Sequence, residues 1–197
     1  MISAAAARPK PPRHTSIGVA AGLYVPSFVR GHATHELTHK IRRSKASREH
    51  DREFAELLAV AATRRFPEFH PDLIVSVPER PGAEDRFRSI RAEVASRVGA
   101  ADAGAVLRQS WVVADYRQMS RAERREASAG RFIAQQPIDG CRVLLLDDVV
   151  TSGCQAREAI RALIAAGAGD WRFAAVARAT ATPRGRGRGQ TGNAGAS

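Results

Sequence analysis

The stretch VLLLDDVVTSGCQ, residues 143–155, decides the fold of this chain. Val143 to Leu146 form an apolar run with no polar alternation, the pattern of a strand covered on both faces in the middle of a parallel sheet. Asp147 and Asp148 then fall at the carboxyl end of that strand. Thr151, Ser152 and Gly153 lead into a helix, AREAIRALIAAGAG, with Ile160, Leu163 and Ile164 at helical spacing, and WRFAAVARA (171–179) reads as the next strand. Strand, helix and strand make one crossover unit.

Working outward, LIVSVP (73–78) is a second buried strand stopped by Pro78. A helix follows it, with Phe87, Ile90, Val94 and Val98 on one stripe and Gly99 as its stop. AVLRQSWVV (105–113) reads as a further strand, with Trp111, like Trp171, expected to fill the core. Upstream, IGVAAGLYV (17–25) reads as an extended segment. It precedes one helix carrying Leu37 and Ile41 and a second starting from Ser47 as N-cap, with Phe54, Leu57 and Leu58 inward and Arg64, Arg65 and Pro67 at its close. In ADYRQMSRAERREASAGRF, Ser120 and Glu123 form a capping-box pattern for a short, highly charged helix. The expected class is α/β, a parallel twisted sheet with helices on both faces and a small N-terminal helical region as a hood.

With 197 residues, 44% of them hydrophobic, the chain suits one domain with loose ends. Residues 1–15 read as a leader, 16–179 as the folded body, and 180–197 as a Gly/Arg-rich tail. The leader lacks acids and carries Arg and Ser, so it reads either as plain disorder or as an organellar transit peptide. The formal charge is +11, and six of the cations (Arg8, Lys10, Arg13, Arg184, Arg186, Arg188) belong to the ends, leaving five net charges for the body. RGRGRG is either a solvated tail or a phosphate-seeking one that would bring nucleic acid to the protein with salt-dependent affinity. No apolar run approaches a membrane span, and Cys141 and Cys154 bracket a strand too long for them to pair, so a reducing, cytoplasmic setting without membrane partners is expected.

Chemistry concentrates at residues 147–155. Adjacent carboxylates repel and resist burial, so they need hydrogen-bond donors, a cation, or both, and sugar hydroxyls with Mg²⁺ supply them. Thr151, Ser152 and Gly153, with Cys154 and Gln155 opening the helix, offer outward N–H groups, two hydroxyls and the positive helix end, which suits a monophosphate. Cys154, at that helix end, is a conceivable reactive thiol, but its plainer use is a small residue supplying an amide. Diol-binding acids beside a phosphate cradle describe a site for ribose 5-phosphate.

This stretch resembles the phosphoribosyl-pyrophosphate (PRPP) signature of type I phosphoribosyltransferases. Similarity is greatest to the ComF-like, competence-associated branch. YRQMSRAERREASAGRF looks like its flexible active-site segment, VSVPERPGAEDRF like its first core strand and pyrophosphate loop, and ELTHKIRR like its N-terminal helix. The resemblance implies Mg²⁺-dependent transfer of a phosphoribosyl group from PRPP to a nucleobase acceptor. Asp147 and Asp148 would hold the ribose hydroxyls, residues 151–155 the 5-phosphate, and Arg80, Arg121, Arg124 and Arg125 the pyrophosphate side, with the metal carried by PRPP rather than by protein ligands. Two positions depart from the pattern: Gln155 where a hydroxyl residue is usual, and Ala127 where Asn is frequent. The fold hosts regulators as well as enzymes, so a catalytically weak PRPP-fold protein working alongside nucleic acid is the alternative.

HELTH (35–39) matches the spacing of zinc peptidases, with His35 and His39 as ligands and Glu36 as base. On a continuous helix the two histidines share a face opposite Leu37 and Ile41. A catalytic zinc also needs a third ligand from another element, and Arg42 and Lys45 stand where the extended motif has Gly and His. The pattern is therefore read as a solvated helix face.

Overall fold

The computed structural model describes residues 18–111 and 119–180. In chain order the elements are β1 (Gly18–Tyr24), a 3-10 turn (His32–Thr34), α1 (Glu36–Ser47), α2 (Asp51–Arg65), β2 (Leu73–Ser76), α3 (Arg88–Val98) and β3 (Ala101–Asp102). They continue with β4 (Leu107–Gln109), α4 (Arg121–Ser128), β5 (Phe132–Ala134), β6 (Arg142–Val150), α5 (Cys154–Ala165) and β7 (Asp170–Ala179). Five strands form one sheet in the order β1-β7-β6-β2-β3, every adjacent pair parallel, while β4 and β5 form a separate antiparallel pair. This is the expected α/β class.

The central strand is β6, and its apolar run explains why. Leu144 and Leu146 pack with Ile41 of α1, Phe54 and Leu58 of α2 and Val94 of α3. Val143 and Leu145 point the other way, to Ala159 and Leu163 of α5 and to Leu107 and Phe132 of the small sheet. Both faces are thus dry from Val143 to Leu146, between Arg142 at the start of the strand and the acids at 147 and 148. The core is divided into two layers by the sheet. On the first face, α1 lies close on β1 because Gly22 lacks a side chain: a Cβ there would collide with Leu37.

Several expectations are corrected. Ser47 ends α1 rather than capping α2; its hydroxyl donates back to the Arg43 carbonyl at 3.2 Å, and Arg48 terminates the helix at φ 59°. Within the described part of the segment 105–113, Leu107–Gln109 form the strand, and they leave the main sheet to pair with β5, with Leu107 and Gln109 buried and Arg108 exposed. The sheet edge goes instead to Ala101–Asp102, which pair with Leu73 and Ile74. Trp111 is 44% exposed, whereas Trp171 packs against the α5-side core. The capping box of α4 forms as its sequence predicts, and Gly99 closes α3 at φ 71°. The leader (1–15), residues 112–118 of the charged segment and the tail from 181 lie outside the described residues. Among the described residues no helix is long and apolar enough to cross a membrane, and both cysteines are free thiols.

Candidate functional site

The crossover from β2 to β3 runs through α3, on the face shared by α1 and α2; that from β6 to β7 runs through α5, on the opposite face. Chain direction across the sheet therefore reverses between β2 and β6. At such a point the loops leaving two neighbouring strands diverge and open a crevice beyond their carboxyl ends. The diverging loops here are 77–87 and 151–153, with Asp147 and Asp148 at the base.

Strand alternation sends the two acids to opposite faces. Asp147 lines a shallow concavity with residues 149–156, on the α5 side. Asp148 lines a narrow cleft with Ile41, Ser44, Lys45, Asp51, Arg86 and Phe87, on the side of the N-terminal helices. The backbone ties them together: the Asp148 N–H donates to Asp147 Oδ1 at 2.8 Å, and the Val149 N–H to Asp148 Oδ1 at 2.6 Å. Lys45 Nζ stands 2.6 Å from Asp148 Oδ2.

These surroundings separate the two acidities. Burial, reinforced by repulsion from Asp148, pushes the Asp147 carboxyl well above the usual carboxylate range. Burial also acts upward on Asp148, but the Lys45 charge and hydrogen bond, with the Arg86 charge beyond, outweigh it and hold this carboxyl below that range. Of the two, Asp148 is the acid that holds its negative charge more readily, and Lys45 matches that charge.

The turn from β6 into α5 falls at residues 151–153. Gly153 is the N-cap of α5 at φ 70°, a conformation that costs a side-chain-bearing residue about 1–2 kcal/mol. Ser152 Oγ accepts weakly from the Cys154 N–H at 3.4 Å, Thr151 is exposed, and Gln155 is half-buried at the concavity's wall. Arg157, absent from the sequence reading, is exposed one turn on; its Nη2 donates to Cys154 Sγ at 3.1 Å. Its Nη1 lies 3.3 Å from where a Gly153 Cβ would be, so the cation sits against the cradle. Its spacing three residues after Cys154 was the available signal.

Across the crevice, Arg80 is exposed in the loop after β2. Arg86, in the same loop, pairs with Glu79 and reaches the Asp148 cleft. The loop is pinned from beneath by Arg91, only 4% exposed. Its Nη1 donates to Ser76 Oγ at 2.8 Å, its Nη2 to Asp85 Oδ2 at 2.8 Å and its Nε to Asp102 Oδ1 at 2.5 Å. Arg121, Arg124 and Arg125 occupy the first two turns of α4, but their side chains lie outside what the structure describes.

The histidine pair has local uses. His35 precedes α1 as its N-cap instead of lying on the helix, which corrects the shared-face reading. Its Nδ1 accepts from the Thr38 N–H at 3.3 Å and from the Thr38 hydroxyl at 3.0 Å, so in the neutral ring Nε2 carries the proton and offers a metal no lone pair. His39 Nε2 donates to the Ala33 carbonyl at 3.0 Å, and Glu53 is engaged by Lys40. Among the described residues no three His, Cys, Asp or Glu side chains gather as a metal site.

No family model matches the chain, and no curated protein matches it. Solved structures with a similar architecture include the glutamine phosphoribosylpyrophosphate amidotransferase from B. subtilis complexed with ADP and GMP. It is 18% identical, covers 64% of this chain and 26% of its own, and gives a TM-score of 0.44. The purine phosphoribosyltransferase from Pyrococcus horikoshii is 17% identical over 64% of this chain and 74% of its own, with a TM-score of 0.40. A hypoxanthine phosphoribosyltransferase from Staphylococcus aureus is 10% identical over 70% of each chain, with a TM-score of 0.42. The chain spans about a quarter of the length of the amidotransferase.

Proposed function

We propose that this chain is a type I phosphoribosyltransferase of the ComF-like branch, which binds PRPP as its Mg²⁺ complex and passes the phosphoribosyl group to an acceptor base. The observation that carries this reading is the single concavity in which Asp147 meets residues 151–156, an acid and an amide-rich helix end held together at the switch point of a parallel sheet.

The 5-phosphate rests against the amides of residues 153–155 and the Thr151 and Ser152 hydroxyls, with Arg157 beside them. Asp147 and Asp148 hold the ribose hydroxyls. The acceptor attacks the anomeric carbon as its bond to the diphosphate oxygen breaks, the diphosphate leaving with the electron pair. Positive charge grows on the ribose, and the Asp148 carboxylate stabilises it. Among the described residues no three His, Cys, Asp or Glu side chains gather here as a metal site, which suits Mg²⁺ whose ligands would come mainly from oxygens of the substrate. Arg80 and Arg86, in the loop that Arg91 fixes, face the diphosphate.

Gln155 favours a second reading, a PRPP-binding regulator with little turnover, because it removes a hydroxyl from the cradle while leaving the helix amides. Thermal shift with PRPP and Mg²⁺ tests the site: stabilisation of the wild type is expected, and its loss in an Asp147→Asn/Asp148→Asn variant. No stabilisation, or equal stabilisation of both proteins, rejects the assignment. Release of pyrophosphate with a panel of bases then separates enzyme from regulator.

A further inference from the structure

Lys45 belongs to no motif, yet it is the cation that reaches the acid pair. It extends from the last turn of α1 to Asp148, its side chain 40% exposed and that of Asp148 23%. The charges around it have other partners. Arg86 is held by Glu79, Arg48 by Glu84, and Asp51 lies between the Ser44 and Ser89 hydroxyls. Ile41, Phe54, Phe87, Ile90 and Val176 wall the cleft, so the Lys45–Asp148 attraction is less screened than a surface pair's.

A bare divalent cation that reached Asp148 would have to displace this ammonium and then sit beside it. A cation arriving with a diphosphate meets a different situation, since phosphate oxygens accept from the freed ammonium while the metal takes the carboxylate. We propose that Lys45 is a specificity-determining residue: it closes Asp148 to free divalent cations and admits them only in company with a polyanion. The ligand class is a metal–diphosphate. This rests on the site assigned above, but it concerns charge alone, so inorganic pyrophosphate tests it without any sugar.

The experiment compares full-length wild type with Lys45→Met and Lys45→Arg. Mn²⁺ binding is read from the electron paramagnetic resonance of the free ion, and pyrophosphate binding at saturating Mn²⁺ by calorimetry. Removing the ammonium is expected to tighten Mn²⁺ alone by at least about tenfold and to weaken Mn²⁺–pyrophosphate by a similar factor, as befits losing one charge-assisted contact. The arginine variant keeps both affinities near wild type. Opposite shifts are a result that a merely structural role would not give. Either affinity unchanged, or both moving together, overturns the proposal. If Lys45→Met fails to give the wild-type circular dichroism spectrum, Lys45→Gln replaces it under the same criteria. Thermal shift with ribose 5-phosphate is run alongside. Failure there rejects the sugar site and leaves opposite Mn²⁺ shifts standing, whereas parallel shifts with a normal sugar response reject only the role of Lys45.

Discussion

Replacing Arg91 by Met keeps a long apolar stem in the core and removes the guanidinium that joins Ser76, Asp85 and Asp102. Removing one partner of a fully buried ion pair costs about 3–5 kcal/mol. The carboxylates here are 45% and 30% exposed, so water recovers part of that loss, and the expected destabilisation is about 2–3 kcal/mol. For a chain of this size that lowers Tm by roughly 4–12 °C. The sign of the pH dependence follows from Asp85. Burial pushes its carboxyl up, but the Arg91 hydrogen bond and charge more than reverse this and hold it below its ordinary value. A depressed carboxylate contributes in full above its unfolded pKa, and the contribution fades as pH falls through the folded one. The gap between wild type and Arg91→Met should therefore be widest near neutrality and shrink below about pH 4. Urea denaturation at several pH values measures it. A loss under about 1 kcal/mol at pH 7, or a gap that widens in acid, refutes the clamp.

Gly153→Ala combines a left-handed backbone with a Cβ pressed toward Arg157, and should cost about 1–2 kcal/mol in stability while weakening phosphate-bearing ligands more than free Mn²⁺. Unchanged phosphate affinity, by calorimetry, would remove the cradle from the site. Asp72, bonded by the Arg142 side chain and backbone N–H, should show a carboxyl NMR titration midpoint of about 2. Its stabilising effect is present above the ordinary carboxylate value and is lost as pH falls through that midpoint; a midpoint near 3.8 would contradict the pairing.

The acid pair at the end of β6 and the turn into α5 were legible because their signal is local. A dry strand, two carboxylates and a hydroxyl-Gly turn occupy consecutive positions, and the strand's period fixes which residues reach its end. The capping box at Ser120 and the stop at Gly99 were readable for the same reason. Lys45 and Arg91 were not. Lys45 meets Asp148 from an element far along the chain, and the partners of Arg91 lie 6 to 15 residues away in a loop and two strands, and neither arrangement leaves a periodic trace. Arg86 and Arg157 lie close to residues the reading did select, but an Arg in an acid-rich loop or on an exposed helical turn reads equally well as solvated. β3 escaped detection because two exposed residues, Ala101 and Asp102, carry no hydrophobic pattern and are placed by backbone pairing to β2. Trp111 misled through its size: just past β4, outside the five-stranded sheet, it stays largely exposed.

Glu158, buried on α5, accepts from the Gly130 N–H at 2.6 Å, just beyond α4, and from Arg161 Nε at 2.8 Å. One helix therefore begins at the Gly153 turn and, a turn along, ties down the end of α4, so a displacement of the start of α5 would shift the end of α4 with it.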